Sequence, residues 1–130
     1  MRDAVFPEAL REAVAATGFS PAIRAGDFLF LTGATGGAPD GSMPATSAEQ
    51  TQVAFAKVQE ILNSAQASVA AIAEVTSYHT HLRDDFDEVD AVLRETLGLP
   101  LPAWTAVEVA GLRRPGARVE FRIVAHLPQS

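Results

Sequence analysis

Two hydrophobic periods alternate along the chain, and each change of period marks a new element. Residues 7–16 (PEALREAVAA) carry apolar side chains at helical spacing behind a proline suited to a first turn, and Gly18 follows. A short helix is expected there. Ala22-Ile23-Arg24 and Phe28-Leu29-Phe30-Leu31-Thr32 are strand-like runs separated by Ala25-Gly26-Asp27, a hairpin signature. The second run is apolar on both faces, as a central strand is. From Gly33 to Thr46 the chain is rich in glycine and proline and too long for a simple turn; such loops often border sites. Ser47 opens the strongest helix, with Ser47 and Gln50 as a capping box. Ala54, Val58, Ile61, Leu62 and Ala65 form its buried stripe.

Residues 72–82 (IAEVTSYHTHL) return to a strand pattern, Val, Thr and Tyr alternating with small or polar residues. A further helix is expected from Asp85 to Leu97, capped by Asp85 and Glu88. Phe86, Val89, Leu93 and Leu97 make its stripe, and Gly98 stops it. Residues 103–109 and 118–125 close the chain as two strands joined through Pro115-Gly116. The order β-β-α-β-α-β-β after a short helix gives the α+β class: a mostly antiparallel sheet with two helices on one face. In the last strand Val119, Phe121, Ile123 and Ala125 share the side that suits packing under helices. Arg118, Glu120, Arg122 and Val124 share the other, either a solvated row or a polar cleft at a subunit interface.

Composition narrows the field. With 130 residues, 48% of them apolar and 20% charged, the chain reads as one folded domain over 1–130. A net charge of −6 weighs against nucleic-acid and anionic-membrane partners, which need a clustered basic face. Arg113, Arg114, Arg118 and Arg122 are the one local basic cluster, read as solvated or paired. The absence of cysteine excludes disulfides, thiol nucleophiles and cysteine-ligated metals. Residues 1–7 lack a signal-peptide core, and no apolar run approaches the roughly 18 residues of a membrane helix, so a cytoplasmic location is expected.

Several strings resemble one family. Phe19-Ser20-Pro21-Ala22-Ile23-Arg24-Ala25-Gly26-Asp27 followed by FLFLTG is similar to the opening of YjgF/RidA (endoribonuclease L-PSP-like) proteins, where a GYSQA-type segment leads to a strand ending in SGQ. EQTQVAFAKVQEIL resembles their Q-T-x-x-x-x-N-hydrophobic helix. Residues 102–109 (PAWTAVEV) and Val119-Glu120-Phe121 resemble their PARxxVEV and VEIE blocks. The likeness covers roughly residues 18 to 127 in order, leaving 1–17 as a family-atypical extension or helix. It implies a chorismate-mutase-like fold, a homotrimer with clefts between subunits, a small-molecule ligand and no cofactor. It also implies an enamine/imine deaminase, a hydrolase that disarms reactive intermediates.

Imine hydrolysis needs a placed water, a carboxylate to orient or deprotonate it, and a cation to hold the substrate carboxylate. The resemblance puts the carboxylate at Glu120 and the cation, the arginine of PAR, at the position of Trp104. Tryptophan cannot form that ion pair. Phe19 stands for the opening tyrosine, Thr32 and Gly33 for the SG pair, Ala34 for the glutamine, and Asp90 for an asparagine of the second helix. The chain thus looks like an arginine-lacking branch.

Trp104 is a candidate aromatic wall of a cleft or an interface packing residue. Arg122, beside Glu120, and Arg24 are candidate replacements for the lost cation, against surface ion pairing. Glu120 itself has the alternative of pairing with Arg118 or Arg122. His79 and His81, two apart on an expected strand, offer a cleft contact at His79 but a poor metal signature. Gly33-Ala34-Thr35-Gly36-Gly37 matches neither phosphate-loop pattern and reads as turn chemistry. Two readings follow: a hydrolase of enamines or imines with an altered substrate, or a non-catalytic small-molecule-binding or sensing trimer. A ribonuclease or translation inhibitor fits the acidic charge worst.

Overall fold

The computed structural model describes residues 1–127. In chain order its elements are β1 (Asp3–Val5), α1 (Arg11–Thr17, entered by a 3-10 turn at Glu8–Leu10), β2 (Ala22–Ala25), β3 (Phe28–Ala34) and α2 (Ser47–Ser64). β4 (Ile72–His79), α3 (Leu82–Leu97), β5 (Ala103–Glu108) and β6 (Val119–His126) follow. The strands form one six-stranded sheet in the order β1-β2-β3-β6-β4-β5. It is mixed: β4 and β5 run parallel, and every other neighbouring pair is antiparallel. The α+β reading holds.

The core lies between the sheet and the pair α2–α3. Leu29 and Leu31 of β3 and Val119, Phe121, Ile123 and Ala125 of β6 meet Val58 and Leu62 of α2 and Val89 and Leu93 of α3. The alternation expected in β6 is the alternation observed, because only one face of the sheet is roofed by helices. On the unroofed face Phe28 and Phe30 of β3 remain 43% and 41% exposed. The β2–β3 hairpin forms at the expected place, pairing Ala25 with Phe28 and bringing Gly26 to φ +60.

Four details differ from the sequence reading. Asp3–Val5 forms an edge strand on β2 where no element was expected. β3 runs on through Gly33 to Ala34, past a register shift against β6, so the glycine-rich loop begins at Thr35. The cap of α2 is Thr46, not Ser47: Thr46 is extended and its hydroxyl accepts the Glu49 N–H at 3.1 Å. Gln50 is instead drawn inward. Its amide donates to the carbonyls of Pro44 (2.8 Å) and Gly116 (3.1 Å) and accepts the Arg118 N–H (2.8 Å).

The fourth concerns β4 and α3. β4 stops at His79 rather than Leu82, and α3 begins at Leu82 after His81, so Asp85 sits inside the helix rather than capping it. Asp85, 6% exposed, is held by both Nε and Nη2 of Arg118 at 2.8 and 3.1 Å. Arg118 therefore leaves the row of Glu120 and Arg122 and reaches the helix layer. Glu88 accepts the Ala48 N–H (3.0 Å) and the Ser47 hydroxyl, serving the N-terminus of α2 instead of its own helix.

Candidate active site

Gly33 at the end of β3 and Glu120 on β6 meet at the unroofed face. A Cβ on Gly33 would fall on the Glu120 carboxylate, so the glycine is what lets that carboxylate lie against the β3 backbone. Among the described residues Glu120 has no hydrogen-bond or ion-pair partner; Arg118 is taken by Asp85, and Arg122 lies 3.8 Å from Glu74. A half-buried carboxylate in this condition has its lone pairs open to a water.

Around it is a cleft of about 460 Å³, walled by Phe19, Thr32, Gly33 and Thr35 on one side and Arg113 and Arg114 on the other. Thr32 does not offer its hydroxyl to the cleft: it donates to the Ser20 carbonyl at 2.6 Å and fixes the entry to β2. Phe19 is 58% exposed, and the Arg113 guanidinium lies 5.6 Å from its ring centre. Ala34 lines an adjoining hollow with Lys57 of α2 and the inner side of α1. Arg122 lines a second depression on the far side of Glu120, with Tyr78 and Leu112.

Lys57 is absent from the sequence reading, and Arg114 enters it only as a member of the basic cluster. Lys57 donates to the carbonyls of Thr35 (2.8 Å) and Gly37, and Arg114 donates to the Ala38 carbonyl. Burial, and then the charge of Arg114, hold the Lys57 ammonium below its ordinary pKa. One sequence signal was available for Lys57, a cation beside the apolar stripe of α2 at Ala54, Val58 and Ile61. Gly36 and Gly37 serve close packing: a Cβ on Gly36 would lie 2.6 Å from the Gln50 Cα, and one on Gly37 would lie 2.6 Å from the Arg114 Cζ.

Trp104, His79 and Asp90 are not brought to this cleft within one chain. Trp104 is in register with Val75, which faces the helices; Glu120 is in register with Tyr78, which does not. Trp104 stacks on Phe86 of α3 at 5.0 Å and 10° and donates its indole N–H to the Ser77 hydroxyl at 2.8 Å. His79 is fully buried, with Nε2 at 2.7 Å from the same Ser77 oxygen. Asp90 pairs with Arg94 one turn along α3 (3.0 Å), and Arg24 donates to the Gly26 carbonyl at 3.2 Å. His81 lies beyond the strand and contacts the Thr80 hydroxyl, so the two histidines do not share a strand face. Among the described residues no group of three or more His, Asp or Glu side chains is placed to hold a metal, and no helix is long and apolar enough to cross a membrane.

The Trp104–Ser77–His79 chain carries a pH dependence. The Ser77 oxygen accepts from Trp104 and shares a hydrogen bond with His79 Nε2, while Nδ1 is buried and unpartnered among the described residues. Burial lowers the His79 pKa, opposed by the Asp85 carboxylate. The folded chain therefore binds this proton less readily than the unfolded chain, whose value is 6.5. Stability is unaffected above that pH and falls as pH drops below it, by at most about 1.4 kcal/mol per unit for one proton. Urea midpoints at pH 7.5 and 5.5 check this: the wild-type midpoint falls, and His79→Gln flattens the fall.

The sequence matches the family model described as endoribonuclease L-PSP over residues 10–127. The RutC family protein YjgH of Escherichia coli (strain K12) is 34% identical over 129 residues, 98% of this chain and 97% of that one. A solved structure of protein YJGH superposes with a TM-score of 0.86 at 34% identity, covering 99% of this chain and 98% of that one. Rv2704 from Mycobacterium tuberculosis, described as a member of the YjgF/YER057c/UK114 family, gives a TM-score of 0.80 at 28% identity, over 98% and 100%. The fold, the ordered motifs and these matches agree: the chain belongs to the endoribonuclease L-PSP family, also called the YjgF/RidA family.

Proposed function

We propose that the chain is a hydrolase of imines, and of enamines that tautomerise to them, with Glu120 handling the attacking water. The observation that carries this reading is the unpaired Glu120 carboxylate lying over Gly33 in an open cleft. In the proposed reaction, water bound to Glu120 adds to the imine carbon while the carboxylate takes its proton. The C=N double bond becomes a C–N single bond, and Glu120 returns the proton to nitrogen. The carbinolamine hydroxyl then passes its proton to nitrogen through Glu120, the C–N bond breaks to release ammonia, and a carbonyl is left. No electrons are exchanged, and no cofactor is required. The cleft is proposed to complete itself in a homotrimer, with the Phe28–Phe30 face turned toward neighbouring copies; a monomer by light scattering contradicts that assembly.

Gly33→Ala tests the proposal while leaving Glu120 itself in the chain. The added methyl collides with the far end of a flexible side chain, so Glu120 swings away at little cost to folding. The expected result is an unchanged melting temperature with hydrolysis of 2-iminopropanoate, generated in situ, reduced about tenfold or more. A Gly33→Ala protein as fast as wild type places the chemistry elsewhere. A second reading, binding without turnover, is favoured by Trp104: where family members carry arginine, this chain has a side chain committed to Phe86 and Ser77. Absence of turnover by the wild type is its signature.

A further inference from the structure

We propose that Arg113, backed by Arg114, binds the carboxylate of the ligand across the cleft from Glu120, taking over the role of the cation lost at Trp104. Calling that ligand an imino acid rests on the hydrolase reading above; the anion site itself does not.

The chain is acidic overall, yet the walls of the Glu120 cleft hold Arg113 and Arg114 against the single carboxylate of Glu120. Lys57 adds a third positive charge just behind Thr35. Neither arginine has an ion-pair partner within 4.0 Å among the described residues, unlike Arg118, Arg122, Arg94 and Arg11. Asp40 feels Arg114 only weakly: its carboxyl is held low mainly by Ser42 and only lastly by Arg114. The Lys57 ammonium is held below its ordinary pKa chiefly by burial and then by the charge of Arg114, so the two cations are close enough to feel each other. A cleft with surplus cations favours a small anion.

The two arginines differ in freedom. Arg114 is anchored: it donates to the Ala38 carbonyl and packs against Gly37. Among the described residues the Arg113 side chain makes no hydrogen bond or ion pair, and its guanidinium lies over the ring of Phe19, which leaves its N–H groups for a ligand. A carboxylate gripped there lies on the same cleft as the Glu120 carboxylate, so a planar group between them is presented to the water. Arg122 and Arg24 are placed worse. Arg122 faces Glu74, and Arg24 is turned back on its own hairpin.

The test is a titration of the full-length, 15N-labelled protein with sodium pyruvate, the stable keto-acid product of the proposed reaction, at constant ionic strength. Methyl pyruvate, which has the same carbonyl and no charge, is the control. The expected result is saturable shifts at the Gly33, Arg113 and Arg114 amides with pyruvate and none with the ester. Arg113→Gln raises the pyruvate Kd about tenfold or more, Arg113→Lys is intermediate, and Arg24→Gln stays within about twofold of wild type. Pyruvate binding that ignores Arg113→Gln, or leaves this cleft unshifted, overturns the site. Arg113-dependent binding without imine turnover keeps the site and removes the hydrolase reading. Turnover indifferent to Arg113→Gln does the reverse.

Discussion

Glu120→Gln is expected to lower kcat/KM for 2-iminopropanoate by about 10²–10⁴-fold with the melting temperature unchanged, the range general-base removal usually costs. The fold should not notice the change, because no hydrogen bond or ion pair among the described residues is lost with the charge. The amide keeps the shape beside Gly33 but cannot take a proton from water. A stopped assay of keto-acid formation, beside a melting curve on the same preparation, reads both quantities. Loss of activity with loss of melting temperature would mean that the carboxylate is a structural group, contrary to its unpaired state.

Gln50→Leu carries the largest expected effect on stability. The side chain is 1% exposed and ties three backbone groups from two loops: the Pro44 and Gly116 carbonyls and the Arg118 N–H. Leucine matches the volume and abandons all three. At roughly 1–3 kcal/mol for each buried group left unpaired, partly offset by the apolar gain, the cost is about 4 kcal/mol. That is a large part of the 5–15 kcal/mol typical of a domain and corresponds to a melting-temperature drop of about 15 °C. A drop below about 3 °C would mean that water reaches these groups. Because Gln50 fixes the carbonyl just after Arg113-Arg114-Pro115, the same variant is also expected to loosen the arginine wall of the cleft.

Much of the fold was legible because each strand and helix carries its own period. The β6 alternation Val119, Phe121, Ile123, Ala125 and the Gly26 hairpin are local signals, and they came out as written. Elements without a period were invisible. Asp3–Val5 is three residues long and becomes a strand only because the edge of β2 supplies hydrogen bonds. The cap of α2 moved by one residue because Gln50, equally able to cap, is claimed by Pro44, Gly116 and Arg118, two of which lie more than sixty positions away in sequence.

The candidate site divides in the same way. Phe19, Thr32, Gly33 and Glu120 were found through motif positions and do meet at one cleft. Trp104, from the same motifs, and His79, from its expected strand, turn to the helix layer because neighbouring positions on β4 and β5 alternate between faces, and Asp90 lies on α3 itself. From the sequence, Arg113 and Arg114 read as solvated or paired. A sequence shows them next to Pro115 and Gly116; only the fold shows that this loop returns to Phe19 and Gly37.

The measurement that bears most directly on the central claim is the initial rate of 2-iminopropanoate loss with purified wild-type protein, against the uncatalysed rate and against Glu120→Gln. The account predicts acceleration by wild type at catalytic concentrations, nearly all of it gone in Glu120→Gln. Equal rates with and without wild-type protein, alongside an arginine-containing family member that does turn the imine over, would contradict it.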